Sequence, residues 1–171
     1  MKSLLFAGCM TILAFFVSSN NFKVENNNIV WQKVFRHDVS INDIHETLML
    51  KGDVKKLKVA DGILFFELTF DNKQDLYRHG YRRGSYPSYL GLGGEYSGFV
   101  QVKDGRYRVT VNNVRFIDDI NGLLIDDLTA SATRKGKIRE GNRTQKVLNV
   151  FNEYFTDKFE VSMQELSNND W

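Results

Sequence analysis

Apolar and polar residues alternate most regularly through Phe99–Phe116, FVQVKDGRYRVTVNNVRF, which reads as two strands folded back at Asp104-Gly105. An Asp-Gly pair favours a type I′ turn, because both central residues need positive φ and the resulting twist suits antiparallel strands. That turn sets Lys103 opposite Arg106, Val102 opposite Tyr107, Gln101 opposite Arg108 and Val100 opposite Val109. One side of the ribbon is then apolar: Val100, Val102, Tyr107, Val109 and Val111. The other carries Phe99, Gln101, Lys103, Arg106, Arg108 and Thr110, and pairing Lys103 with Arg106 requires water around it. Across Asn112-Asn113 the apolar phase slips from odd to even positions. Either a β-bulge keeps Val114 and Phe116 on the core side, or the two turn outward.

The same design recurs at Asp61-Gly62, where KKLKVA and ILFFELTF place Leu57, Val59, Leu64, Phe66 and Leu68 on one face. Lys56, Lys58, Ile63 and Phe65 fall on the other. Upstream, Ile29–Arg36 is a β-rich run with Trp31 and Phe35 as its large residues. Ser40 and Asp43 form a capping-box pattern ahead of Ile41, Ile44 and Leu48 at helical spacing, which predicts a short helix to about Leu50 with Gly52 as its stop. The strongest helical stripe closes the chain: Val147, Phe151, Tyr154, Phe155, Phe159, Met163 and Leu166 predict a helix over about 144–166. Between these elements, 71–98 reads as a long connection rich in Tyr, Arg and Gly, and 117–141 as an irregular segment, first acidic and then basic.

A sheet with one wet face suits antiparallel pairing. The expected order is strand, helix, four strands in two hairpins, long helix. The long helix has the apolar stripe needed to cover one side of the sheet, so the fold class is α+β.

Residues 1–19 are set apart by Lys2, an apolar run from Leu4 to Val17 and small residues at Ser18-Ser19, the pattern of a signal peptide. The run falls short of the about 20 apolar residues a membrane span needs. Cys9, in Phe6-Ala7-Gly8-Cys9, resembles a lipoprotein box, but an apolar run follows where a lipoprotein turns polar. The expectation is an exported, periplasmic or envelope protein, held at a membrane only if the anchor is retained or Cys9 is lipidated. Residues 20–28 read as a polar leader and 29–171 as one domain. The chain has 171 residues and a single cysteine, so cleavage after Ser19 leaves no disulfide, thiol nucleophile or thiolate metal site. A balance of 23 basic to 21 acidic side chains gives no global argument for a polyanionic partner.

The WQKVF strand, the VKDGRYRVTV hairpin, the signal peptide and the closing Asp170-Trp171 resemble a family of secreted bacterial proteins, a domain of unknown function with a TATA-binding-protein-like (TBP-like) fold. The resemblance implies a β-α-β4-α architecture, with the C-terminal helix lying over a curved antiparallel sheet. It brings no catalytic residues with it, and the fold name does not imply DNA binding.

Candidate chemistry is sparse. His37, His45 and His79 lack the spacing of a metal pair, and His79 stands out only by its place in the Tyr/Arg-rich loop. Asp118, Asp119, Asp126 and Asp127 match no EF-hand, and a carboxylate pair is informative about glycoside cleavage only through its separation in space. Gly91-Leu92-Gly93-Gly94 lacks the strand-before, helix-after context of a phosphate cradle. No metal, cofactor or catalytic constellation is expected. The basic run Arg134, Lys135, Lys137, Arg139, Arg143 and Lys146 reads as a solvated linker.

The most suggestive cluster is Tyr77, Arg78, His79, Tyr81, Arg82, Arg83, Tyr86 and Tyr89. Tyrosine supplies amphipathic contact area and arginine forked donors, as recognition surfaces do, although a long ordered loop also needs such residues for its own packing. The function expected is therefore non-enzymatic binding of a protein or envelope component, through this loop or an exposed sheet face. Export argues against nucleic acid. Two other readings are a carrier holding a small apolar ligand in a cavity lined by Phe66, Val100, Val109 and Phe151, and a hydrolase using Asp118 and Asp127.

Overall fold

Each of the two Asp-Gly pairs turns the chain as expected: Asp61, Gly62, Asp104 and Gly105 all have positive φ. The computed structural model describes residues 21–71, 75–82, 84, 86–118 and 121–161. The expected signal peptide, Cys9, Arg83 and Asp119 lie outside them. Strands β3 (Val54–Ala60) and β4 (Ile63–Phe70) form the first hairpin, and β5 (Gly93–Lys103) and β6 (Arg106–Ile117) the second. Their registers match the pairs above, from Lys103 opposite Arg106 to Leu57 opposite Phe66.

The bulge reading of Asn112-Asn113 holds. Glu95 pairs with Arg115 and Ser97 with Asn112, so β6 carries one extra residue there, and Asn113 adopts φ 50°. Val109, Val111, Val114 and Phe116 are all buried as a result.

Strand β2 (Asn28–Phe35) joins β6 on the other side. Residues 20–28 are not merely a leader, because Phe22–Glu25 forms strand β1 and pairs with β2. Asn26 and Asn27 turn the chain with both φ positive, and Phe22 is buried opposite Trp31. The antiparallel sheet has seven strands in the order β1-β2-β6-β5-β4-β3, with β7 (Leu124–Asp127) added to the end of β6.

Residues 117–141 are also more regular than expected. After β7 comes α2 (Leu128–Ala132), whose N-cap is Asp127, its carboxylate accepting from the Ala130 N–H at 2.7 Å. A small hairpin, β8 (Thr133–Arg134) and β9 (Lys137–Ile138), turns at Lys135-Gly136, again with positive φ. The solvated linker is thus a folded hairpin. Its Arg139 guanidinium donates back to the carbonyls of Thr133 and Ala130.

Helix α1 (Ile41–Leu50) has the complete Ser40/Asp43 capping box and buries Ile44, Thr47 and Leu48. The long helix α3 runs Asn142–Phe159 and ends earlier than its stripe suggests, because Glu160 is already extended. Met163 and Leu166 lie outside the described residues. The Tyr107 hydroxyl fixes this end, donating to the Phe159 carbonyl at 2.8 Å and accepting from the Val161 N–H at 3.1 Å.

Helix α3 covers one face of the sheet with Val147, Phe151, Tyr154, Phe155 and Phe159. Between the layers the rings interlock: Trp31 against Phe155 at 5.4 Å, Phe66 against Phe159 at 5.0 Å, Tyr96 against Phe155 at 5.1 Å and Phe70 edge-on to Phe151 at 5.6 Å. The Trp31 indole N–H donates to Asn152 on the helix. Phe66, Val100, Val109 and Phe151, the expected lining of an apolar cavity, are each buried in this packing. The protein's own side chains occupy the space the carrier reading needs.

Candidate functional site: the open face of the sheet

With one face closed by α3, the period of 2 in each strand sends the alternate residues to the opposite face. Registers fix which of them become neighbours. One row across the sheet runs Gln32, Thr110, Phe99, Phe65, Lys58; the next runs Asn112, Ser97, Glu67, Lys56; another joins Val34, Arg108, Gln101 and Ile63. An aromatic row therefore lies between a polar row and a partly cationic one.

Phe65 and Phe99, on adjacent central strands, have ring centroids 6.3 Å apart, and Phe65 remains 43% exposed. In the polar row, Ser97 donates to the Asn112 carbonyl oxygen at 3.1 Å, and the Asn113 amide donates to both Ser97 and Asn112. Glu95 is shared by Lys55 and Arg115. Among the described residues, Glu67, Lys56 and Lys58 make no side-chain hydrogen bond or ion pair within the fold.

Two grooves open on this face. One, of about 360 Å³, is lined by Lys56, Lys58, Phe65, Glu67, Phe99 and Asn112 among others. The other, of about 560 Å³, lies by the bulge and is walled by Leu124, Asp127 and Thr129. They adjoin along Glu67, Ser97 and Asn113, which line both. The bulge contributes to their shape, since an extra residue bends its strand and increases the local twist.

The Tyr/Arg loop is built differently. Tyr81 is buried, with Tyr77 edge-on at 5.1 Å and Tyr86 at 5.3 Å. The Tyr86 hydroxyl donates to the Gly80 carbonyl, and Tyr89 packs on Phe116 at 4.7 Å. Arg82 donates to the carbonyls of Tyr77 and Tyr81. Most of the loop's aromatic surface is thus used within the domain, while Tyr77, Arg78 and Arg82 stay exposed.

His79 lies behind the loop, half-buried, with Nδ1 2.7 Å from the Asp75 carbonyl and Nε2 3.5 Å from the Asp157 carboxylate. It lines a pocket of about 310 Å³ with Lys51, Asp53, Asp75, Arg78, Tyr154 and Lys158. Burial pushes the Asp75 carboxyl above its ordinary range, and the Asp71 N–H it accepts from only partly offsets this. The group has no positioned nucleophile. Among the described residues, no cluster of three or more His, Cys, Asp or Glu could hold a metal ion. Asp127 is committed to capping α2, while the Asp118 backbone closes a turn with Gly122 and Leu123. No described helix is long and apolar enough to cross a membrane.

The fold defines a class: an α+β domain whose antiparallel sheet is covered on one face by its C-terminal helix and open on the other. No family model and no curated protein sequence matches the chain. Two solved structures are similar in shape. A TBP-like protein from Parabacteroides distasonis shares 9% identity at a TM-score of 0.45, covering 85% of this chain and 97% of that one. A DUF4468 family protein from Bacteroides ovatus shares 13% identity at a TM-score of 0.43, covering 88% and 90%. Both descriptions, a bacterial TBP-like protein and a bacterial domain of unknown function, are of the kind the sequence resembles. Scores at this level carry nothing about ligands.

Proposed function

We propose that this protein is a non-enzymatic binding module of the bacterial envelope, reached by export, and that it engages its partner through the open face of the sheet. The observation that carries this reading is the pair of adjoining grooves around Glu67, Ser97 and Asn113, bordered by the Phe65–Phe99 pair and by Lys56 and Lys58, which have no partners among the described residues. Apolar area flanked by a few convergent polar groups is the ordinary make-up of a recognition site. Beneath α3, by contrast, the described rings are packed against one another.

The test compares two double variants for retention of material from a solubilised envelope fraction. Phe65→Ala with Phe99→Ala removes the aromatic platform, whereas Tyr77→Ala with Arg78→Ala removes two exposed side chains of the Tyr/Arg loop. Retention should fall at least tenfold in the first and stay within twofold of the parent in the second. The reverse pattern would move the site to the loop. The mass of the protein recovered from cells tests export, since processing after Ser19 shortens the chain.

A further inference from the structure

We infer that the open face binds an acidic polysaccharide, one whose sugar rings carry carboxylates; this rests on the open-face reading above. Three observations on neighbouring rows of the sheet support it together.

The first is local charge. The whole chain is close to balance, with 23 basic and 21 acidic side chains. On this face, however, Lys56, Lys58, Lys103, Arg106 and Arg108 are all exposed, and the register brings Lys103 and Arg106 side by side. Glu67 stands among them, with Asp61 and Asp104 at the hairpin tips and Asp127, which caps α2, in the wall of the larger groove. Glu95 is already shared by two cations, Lys55 and Arg115. The excess is positive, so the complementary occupant is anionic. Arg108 also presents a planar fork suited to a carboxylate and is held by Gln101 at 2.6 Å. The same excess opposes a second copy docking face to face.

The second is the aromatic pair. Phe65 and Phe99 offer a platform spanning two strands. The C–H groups on the face of a sugar ring pack against the negative face of an aromatic ring, and so do nucleobases.

The third separates sugars from nucleic acid. Beside the aromatics lies the row Lys56, Glu67, Ser97, Asn112, with Asn113 next to it. Hydroxyl and amide groups both donate and accept, and a carboxylate accepts only. This row is suited to a ligand rich in hydroxyls, each of which donates and accepts. A phosphodiester group has no proton for Glu67 to accept, whereas each ring of a polyuronate brings hydroxyl donors alongside its carboxylate. A flat bilayer surface would not enter the grooves that Glu67, Ser97 and Asn113 line.

The experiment is calorimetric titration of the mature chain, at one fixed moderate salt concentration, with polygalacturonate and alginate as probes. Dextran, poly-glutamate, oligo-dT and phosphatidylglycerol vesicles serve as comparators. At least one uronate polymer should bind at least tenfold more tightly than every comparator. Phe65→Ala with Phe99→Ala, and separately Lys56→Gln with Lys58→Gln, should each weaken it at least tenfold while circular dichroism shows an unchanged fold. Equal binding of poly-glutamate would reduce the site to charge alone, tighter binding of oligo-dT or vesicles would assign it to another class, and silence towards both uronate polymers would remove the glycan. Each of these overturns the inference. If the aromatic double variant still loses envelope material in any of these cases, the open face remains the site and only its ligand is wrong; if neither effect is seen, both readings fall.

Discussion

Gly94 and Gly98 sit on the helix-covered side of β5, directly opposite Phe70 and Phe66 of β4. A Cβ at Gly98 would fall inside contact distance of the Thr110 carbonyl oxygen and 2.6 Å from the Phe66 ring, and Gly94 is crowded in the same way by Arg115 and Phe70. The missing side chains make room for the rings, which cover the bare backbone in return. Gly98→Ala should therefore destabilise the domain by about 1–3 kcal/mol, the usual range for overpacking. Urea denaturation measures it, and an unchanged midpoint would show that the ring has somewhere else to go. The hydroxyls of Tyr96 and Tyr154 meet at 3.2 Å in the interior. Burial pushes both far above the ordinary tyrosine range, and for Tyr154 the neighbouring Tyr96 adds to the effect. Tyrosines of the unfolded chain ionise near about 10, so the pair's contribution is intact below that pH and is lost as pH rises beyond it. Thermal melts taken into the alkaline range should fall more steeply for the parent than for Tyr154→Phe. Parallel curves would mean that the pair ionises in place.

Two helices that are distant in sequence finish against each other. The Lys51 ammonium, just past α1, donates to the carbonyls of Asp157, Lys158 and Glu160 at the end of α3. Lys158, buried near the end of α3, donates to the carbonyls of Lys51 and Gly52 and lies 3.5 Å from Asp53. Each lysine places a cation at the other helix's C-terminus, where unpaired carbonyls carry partial negative charge. Lys51→Met should speed amide exchange in the last turn of α3, and Lys158→Met in the last turn of α1, each at a cost of about 1 kcal/mol. Loosening confined to each lysine's own helix would contradict the crossed arrangement. At this scale the sequence was legible where a local rule decides the outcome. Asp-Gly pairs fixed the two hairpins and their registers, the Ser40/Asp43 box fixed the start of α1, and the phase slip at Asn112-Asn113 located a bulge. Strand β1 was missed because only Phe22 marks its buried side, although Asn26-Asn27 uses the same positive-φ turn. Helix α2, β7 and the small hairpin within 124–138 were obscured by charge and by elements too short to show a period. The end of α3 depends on Tyr107 and Lys51, whose contacts no local pattern reveals.

Over the whole molecule, the two faces of the sheet have opposite fates. One is sealed by α3 through interlocked rings, which leaves the carrier reading without the cavity it expects. The other is open, grooved and positively charged. Half of that site was readable: the outward positions Lys56, Lys58, Phe65, Phe99 and Arg108 follow from the two hairpin registers. That β4 pairs with β5, bringing Phe65 beside Phe99 and Glu67 beside Ser97, is a tertiary fact. The Tyr/Arg loop drew attention through composition, yet composition does not tell a packed tyrosine from a presented one, and Tyr81, Tyr86 and Tyr89 are largely packed. The most direct measurement is an amide chemical-shift map of labelled residues 20–171 titrated with a short oligogalacturonate. Binding at the open face predicts shifts concentrated on β4, β5 and the bulge of β6, around Phe65, Glu67, Ser97, Phe99 and Asn113, with the Tyr77–Tyr89 segment unmoved. Shifts confined to that segment, or to the pocket around His79, would contradict the account.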